Sequence, residues 1–200
     1  MCIENSSSRG SSVPSATNVS FPPRATINCI GPAFFRSRGA RDLACLLDLD
    51  LEVEAWECVP LELCSGDLRH TPDFRIYNTS GLSCLLDASD GAESWVAEAA
   101  QTAGCAYEFV TRERREQGWR LRNARDLLRY GNYRCPLGDR IRIMATLDEI
   151  GSFTIADGLA LFREVTPIAG LASLVLQRMV FVDLDEALIG PETVVRRIGL

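Results

Sequence analysis

The residues best equipped for chemistry lie close together in this chain. Thr71-Pro72-Asp73 reads as part of a strand, and Asp87 follows 14 residues later at the end of another. Two carboxylates on adjacent strands can share one divalent cation. Mg²⁺ or Mn²⁺ suits such hard oxygen ligands and keeps several waters. An ion held there lowers the pKa of a bound water and stabilises charge on a scissile phosphate. Asp73 and Asp87 are therefore the candidate catalytic and metal-binding residues. The one histidine, His70, adjoins this motif. Ordering the strand or touching a phosphate fits it better than catalysis. Asp90, between Ser89 and Gly91, reads as a turn residue.

Other residue types narrow the choice by what they lack. All 21 basic residues are arginine, so a mechanism needing a lysine of this chain is excluded. Arginine does not release its proton at working pH, and its planar fork replaces a compact ammonium poorly. Eight cysteines stand at 2, 29, 45, 58, 64, 84, 105 and 135 with no CxxC pair. That spacing does not suit zinc. They read as reduced, mostly buried thiols.

The elements that must position these residues follow from periodicity. Residues 38–48 place Leu43, Leu46 and Leu47 at helical spacing. Residues 51–56, 60–63, 69–77 and 83–87 read as strands of a mixed sheet, with turns at 65–67 and 78–81. Residues 93–103 form a helix ended by Gly104, and 106–111 return as a strand able to pair parallel to an earlier one. Beyond residue 139 the pattern predicts helices over 140–150, 155–163 (capped by Thr154) and 167–178, the last opening on Thr166-Pro167. Strands at 180–184 and 193–198 follow. Three helices and a hairpin is the order of a winged helix-turn-helix. The third helix carries one arginine and an apolar face of Ile168, Leu171, Leu174 and Val175. It reads as a packing or partner-binding element before a DNA reader.

The chain has 200 residues, a net charge of −6 and a globular composition of 46% apolar and 24% charged residues. Residues 1–25 are rich in Ser, Pro, Asn and Gly and read as a disordered tail. No apolar run approaches the roughly 18–20 residues of a membrane span. The N-terminus lacks a signal pattern, so the chain is expected in the cytoplasm. Residues 101–142 carry +5, whereas 1–100 carry −7 and 143–200 carry −4. Within the basic stretch, Arg112, Arg114, Arg115, Arg120, Arg122 and Arg125 form a candidate DNA-binding face. A solvated helical surface with internally paired arginines is the alternative.

Pro-Asp followed by a second acid is also part of the restriction-endonuclease-fold signature. Gly39–Pro60, then Arg69–Ile76 (RHTPDFRI), then Leu85–Asp87 (LLD) resemble TnsA-like endonuclease subunits of heteromeric transposases. The segment Val110–Tyr130, notably Arg122-Asn123-Ala124, and Phe181–Leu184 also look like that family, so the resemblance spans about residues 36–198. It implies an α/β fold: a restriction-endonuclease-like mixed sheet over 26–135, then a small winged-helix-like domain over 136–200. It further implies metal-dependent cleavage at transposon ends with Mg²⁺ or Mn²⁺. The partners would be DNA, an integrase-type transposase and an ATP-dependent regulator, with no membrane. The departures are specific. The family's helix Glu falls on Ala40, and its Lys falls on Ser89. One such missing cationic donor typically costs about 10²–10³ in rate. Weakened or lost cleavage follows, and a non-catalytic DNA- or partner-binding subunit is the alternative. Rescue would need Asp42, Glu52, Glu54 or Glu57 to approach from the helix side, with Arg69 or Arg75 supplying positive charge.

Overall fold

A computed structural model describes residues 25–199, so the tail expected over 1–25 lies outside the described residues apart from Ala25. The first helix, α1, spans Arg38–Leu49. The Ser37 hydroxyl caps it, accepting from the Ala40 N–H at 2.9 Å. Ala40, Leu43, Ala44 and Leu47 form its buried face.

Strand β1 (Val53–Cys58) is followed by a two-stranded hairpin, β2 (Leu63–Ser65) and β3 (Leu68–His70). Then come β4 (Phe74–Asn78), β5 (Ser83–Asp87), helix α2 (Ser94–Thr102) and β6 (Ala106–Phe109). The main sheet runs β1-β4-β5-β6. Its first three strands are antiparallel, and β6 pairs parallel with β5. That parallel pair needs a crossover, and α2 provides it.

Residues 69–77 do not form the single strand their alternation suggests. They divide into the end of β3 and the start of β4, which belong to different sheets. Pro72 sits at the break and has no N–H to give a ladder, so Thr71-Pro72-Asp73 is a junction between strands. Trp56, Phe74 and Phe35 pack beside it under α1. The Trp56 and Phe74 rings meet edge to face with centroids 5.4 Å apart. The Trp56 indole N–H donates to buried Asp48 at 2.8 Å.

Helices α3 (Arg112–Glu116) and α4 (Arg120–Leu127) lead through a 3₁₀ turn to α5 (Leu137–Ile150), β7 (Ser152–Thr154), α6 (Ile155–Leu159) and α7 (Pro167–Leu176). Strands β8 (Val180–Val182) and β9 (Val194–Arg197) complete an antiparallel sheet of order β7-β9-β8. The α6 helix stops short of the expected 163. The Arg163 and Glu164 N–H groups instead donate to the buried Asp139 carboxylate at 2.8 and 3.0 Å. The α7 helix ends at Leu176, and Arg178, with φ 55°, turns back to donate to the Asp50 and Val53 carbonyls.

One apolar cluster joins the two halves of the chain. It contains Cys45 and Leu49 of α1, Leu121 and Leu127 of α4, Ile143 and Leu147 of α5, Leu174 of α7 and Val195 of β9. Asn123 ties the same junction, donating to the Leu184 and Ala187 carbonyls and accepting from the Ile189 N–H. No helix among the described residues is long and apolar enough to cross a membrane.

Candidate active site

The hairpin of β4 and β5 turns through Asn78–Leu82 in a register that pairs Phe74 with Leu86. One residue further out, Asp73 and Asp87 stand opposite each other. The Asp73 N–H donates to Asp87 Oδ1 at 2.9 Å, and the Ala88 N–H donates to Asp73 Oδ2 at 3.0 Å. The two side chains are 12% and 5% exposed, so each carboxylate needs partners.

Those partners come from three other segments. Arg36, just before α1, reaches Asp73 Oδ1 with Nε at 3.1 Å and Nη2 at 2.8 Å. The same Nη2 lies 3.9 Å from Asp87 Oδ1 and donates to the Thr71 carbonyl at 2.5 Å. His70 Nε2 is 2.6 Å from Asp87 Oδ2, and the Tyr107 hydroxyl donates to that oxygen at 2.7 Å. Burial, then the bond to Asp87, pushes the Tyr107 phenol well above its ordinary pKa. Every oxygen of the carboxylate pair thus accepts from at least one protein donor.

This arrangement does not fit a divalent ion. Among the described residues no group of three or more acidic, histidine or cysteine side chains is arranged to hold a metal ion. The guanidinium already supplies a positive charge beside both carboxylates, and it would repel a second cation there.

The two positions where the sequence resemblance expects a Glu and a Lys are filled by local structure. Ala40 is buried against Phe35, Leu43, Phe74 and Leu86. The Ser89 hydroxyl donates to the Gly91 carbonyl at 2.9 Å. None of the residues nominated for rescue is brought to the pair. Asp42 is bound by Arg125 at 2.6 Å and by Arg41 at 3.2 Å. Glu57 accepts from the Tyr77 hydroxyl and pairs with Arg75, Glu52 and Glu54 face solvent, and Arg69 donates to the Gly66 and Leu68 carbonyls. Positive charge comes from Arg36 instead. Sequence reasoning missed this residue because it lies 37 positions from Asp73 with no periodic signal linking them. Asp90 accepts from the Arg112 N–H at 2.6 Å, which suits its reading as a turn residue.

The six nominated arginines separate into two groups. Arg115 is buried and donates to the Val110 carbonyl. Arg120 bridges to Asp185 at 2.7 Å, and Arg125 holds Asp42. These three brace the fold. Arg112, Arg114 and Arg122 are exposed, with Arg112 paired to Glu116 one helical turn on. The cysteines also depart from expectation. Among the described residues only Cys45 and Cys135 are buried; Cys29, Cys58, Cys84 and Cys105 are half-buried and Cys64 is exposed. In comparisons with known proteins, no family model matches this chain and no curated protein matches it in sequence.

Proposed function

We propose that this chain is a non-cleaving, nuclease-fold subunit of a transposition assembly that contributes contacts to the transposon-end DNA. The observation carrying this reading is the Arg36 guanidinium, 2.8 Å from Asp73 and 3.9 Å from Asp87, in the position a catalytic cation would need. The absent carboxylate at Ala40 and absent ammonium at Ser89 point the same way.

Two further features support the setting. The order α1-β1-β4-β5-α2-β6, with the β2–β3 hairpin inserted after β1 and the last strand parallel, supports a restriction-endonuclease-like reading of this part. The order α5-β7-α6-α7-β8-β9, with sheet order β7-β9-β8, supports a winged-helix-like reading of the second part. Exposed Arg112, Arg114 and Arg122 provide a local basic surface on an acidic chain. Binding through so few phosphate contacts would be weak and salt-sensitive alone, which suits work within an assembly containing an integrase-type transposase and an ATP-dependent regulator.

The test is nicking of supercoiled plasmid and of a transposon-end duplex with Mn²⁺, by the wild type and by Asp73→Ala. We expect no cleavage from either and salt-dependent duplex binding by both. Mn²⁺-dependent nicking that Asp73→Ala abolishes would overturn the reading. It would favour an altered metallonuclease, for which the pairing of Asp73 beside Asp87 is the supporting observation.

A further inference from the structure

A second constellation involves the same entry segment that carries Arg36. Cys29 stands across from Trp56 in an isolated parallel bridge, fixed by the Ile30 N–H to the Trp56 carbonyl at 2.7 Å and the Trp56 N–H to the Asn28 carbonyl at 3.0 Å. Cys58 follows two positions along the same strand, so it shares the face of Trp56. The bridge therefore sets two thiols 29 residues apart in sequence diagonally across it, with the Cys29 thiol also donating to the Ile30 and Gly31 carbonyls at 3.8 Å. Both are free and half-exposed. The Phe34 N–H also donates to Cys58 Sγ at 3.3 Å.

We propose that Cys29 and Cys58 form a peroxide-responsive dithiol in which Cys58 attacks, Cys29 resolves, and the product is a disulfide joining the entry segment to the end of β1. In the first step the Cys58 thiolate sulfur attacks one oxygen of hydrogen peroxide. An S–O bond forms, the O–O bond breaks, and hydroxide leaves to take up a proton as water. The sulfur loses two electrons, and the peroxide is reduced. In the second step the Cys29 sulfur attacks the sulfenic acid. An S–S bond forms, the S–O bond breaks, and water leaves with the Cys29 proton. Two thiols and one peroxide give one disulfide and two waters.

The order of the two roles follows from the donors around each sulfur. Cys58 accepts from the Cys29 thiol first and from the Phe34 N–H second, and these outweigh burial and the Asp73 charge to draw its pKa down to about 7. Cys29, as the donor of the pair, is raised. Burial, then the Glu108 charge, pushes the Cys84 pKa up to about 11.

The test treats the full-length chain with hydrogen peroxide, digests it with trypsin and reads the linked peptides by mass. Arginine cleavage places Cys29 in residues 25–36 and Cys58 in 42–69 together with Cys45 and Cys64, while Cys84 and Cys105 share 76–112; fragmentation of the linked pair identifies the bonded cysteine. We expect peptide 25–36 joined to 42–69 with two hydrogens lost, and reversal by a dithiol. Cys29→Ser should accumulate a dimedone adduct at Cys58, and Cys58→Ser should slow loss of the Cys29 thiol by about tenfold or more. The proposal falls if 25–36 stays unlinked in the oxidised wild type, or if 76–112 loses its thiols first. Equal oxidation rates in wild type and Cys58→Ser would also overturn it.

Discussion

Replacing Arg36 by Met tests most directly what the carboxylate pair does. The variant keeps an apolar stem and removes the guanidinium from Asp73 and Asp87. A unit ion pair about 4 Å apart at an effective dielectric near 20 interacts by about 4 kcal/mol. Arg36 is 38% exposed, so solvent screens part of this. Leaving two adjacent, largely buried carboxylates without their cation acts in the other direction. We expect a net loss of about 2 kcal/mol near neutral pH. For a chain of this size that corresponds to a fall of about 4–8 °C in melting temperature. The variant also opens the position between the carboxylates to an added cation. An ion at 100 times its dissociation constant would restore about 2.7 kcal/mol. Thermal unfolding followed by intrinsic fluorescence, with and without millimolar Mn²⁺, reads both effects. The variant should melt lower and recover with Mn²⁺, while the wild type should not respond to the metal. A wild type that gains as much from Mn²⁺ as the variant would refute the reasoning. So would a variant that melts at the wild-type temperature.

Three further outcomes follow from the geometry. Arg114→Ala and Arg122→Ala should each weaken duplex binding across sequences and lower the slope of log affinity against log salt by about 1. Arg115→Ala should leave that slope unchanged and lower the melting temperature, since its guanidinium bonds inside the fold. Gly170→Ala places a Cβ 2.4 Å from Phe162 Cε1. The gain of about 1 kcal/mol in helix propensity is smaller than an overpacking cost of about 1–3 kcal/mol, so the urea midpoint should fall. Burial pushes the Asp139 carboxyl up, but the Arg163 N–H, the Arg142 guanidinium and the Glu164 N–H outweigh it and hold its pKa below the ordinary value. The stability from this depressed carboxyl is present above its unfolded pKa of about 3.9 and is lost as pH falls through the lower folded value. Asp139→Asn should cost about 1.5–3 kcal/mol at neutral pH and flatten the acid limb of a urea-midpoint titration.

Local signals in the sequence determined much of the framework. Ser37 before an apolar repeat sets the start of α1, and Thr166-Pro167 sets the start of α7. A short turn at Asn78–Leu82 between two apolar runs makes Asp73 and Asp87 face each other, because residues equally far from a hairpin turn pair across it. Each of these signals acts within a few residues, so the sequence alone carries it. What the carboxylates meet was decided at longer range. Arg36 and Tyr107 come from segments 37 and 20 residues away from the acids they bind, Asp73 and Asp87 respectively. Only the packing of the entry segment across β1 and the return of β6 beside β5 brings them in. Arg115, Arg120 and Arg125 look like a basic surface in sequence, yet each is engaged within the protein: Arg115 by the nearby Val110 carbonyl, Arg120 and Arg125 by Asp185 and Asp42 on distant elements. The Cys29 and Cys58 pair is of the same kind, since one backbone bridge to Trp56 makes neighbours of thiols that no local spacing connects.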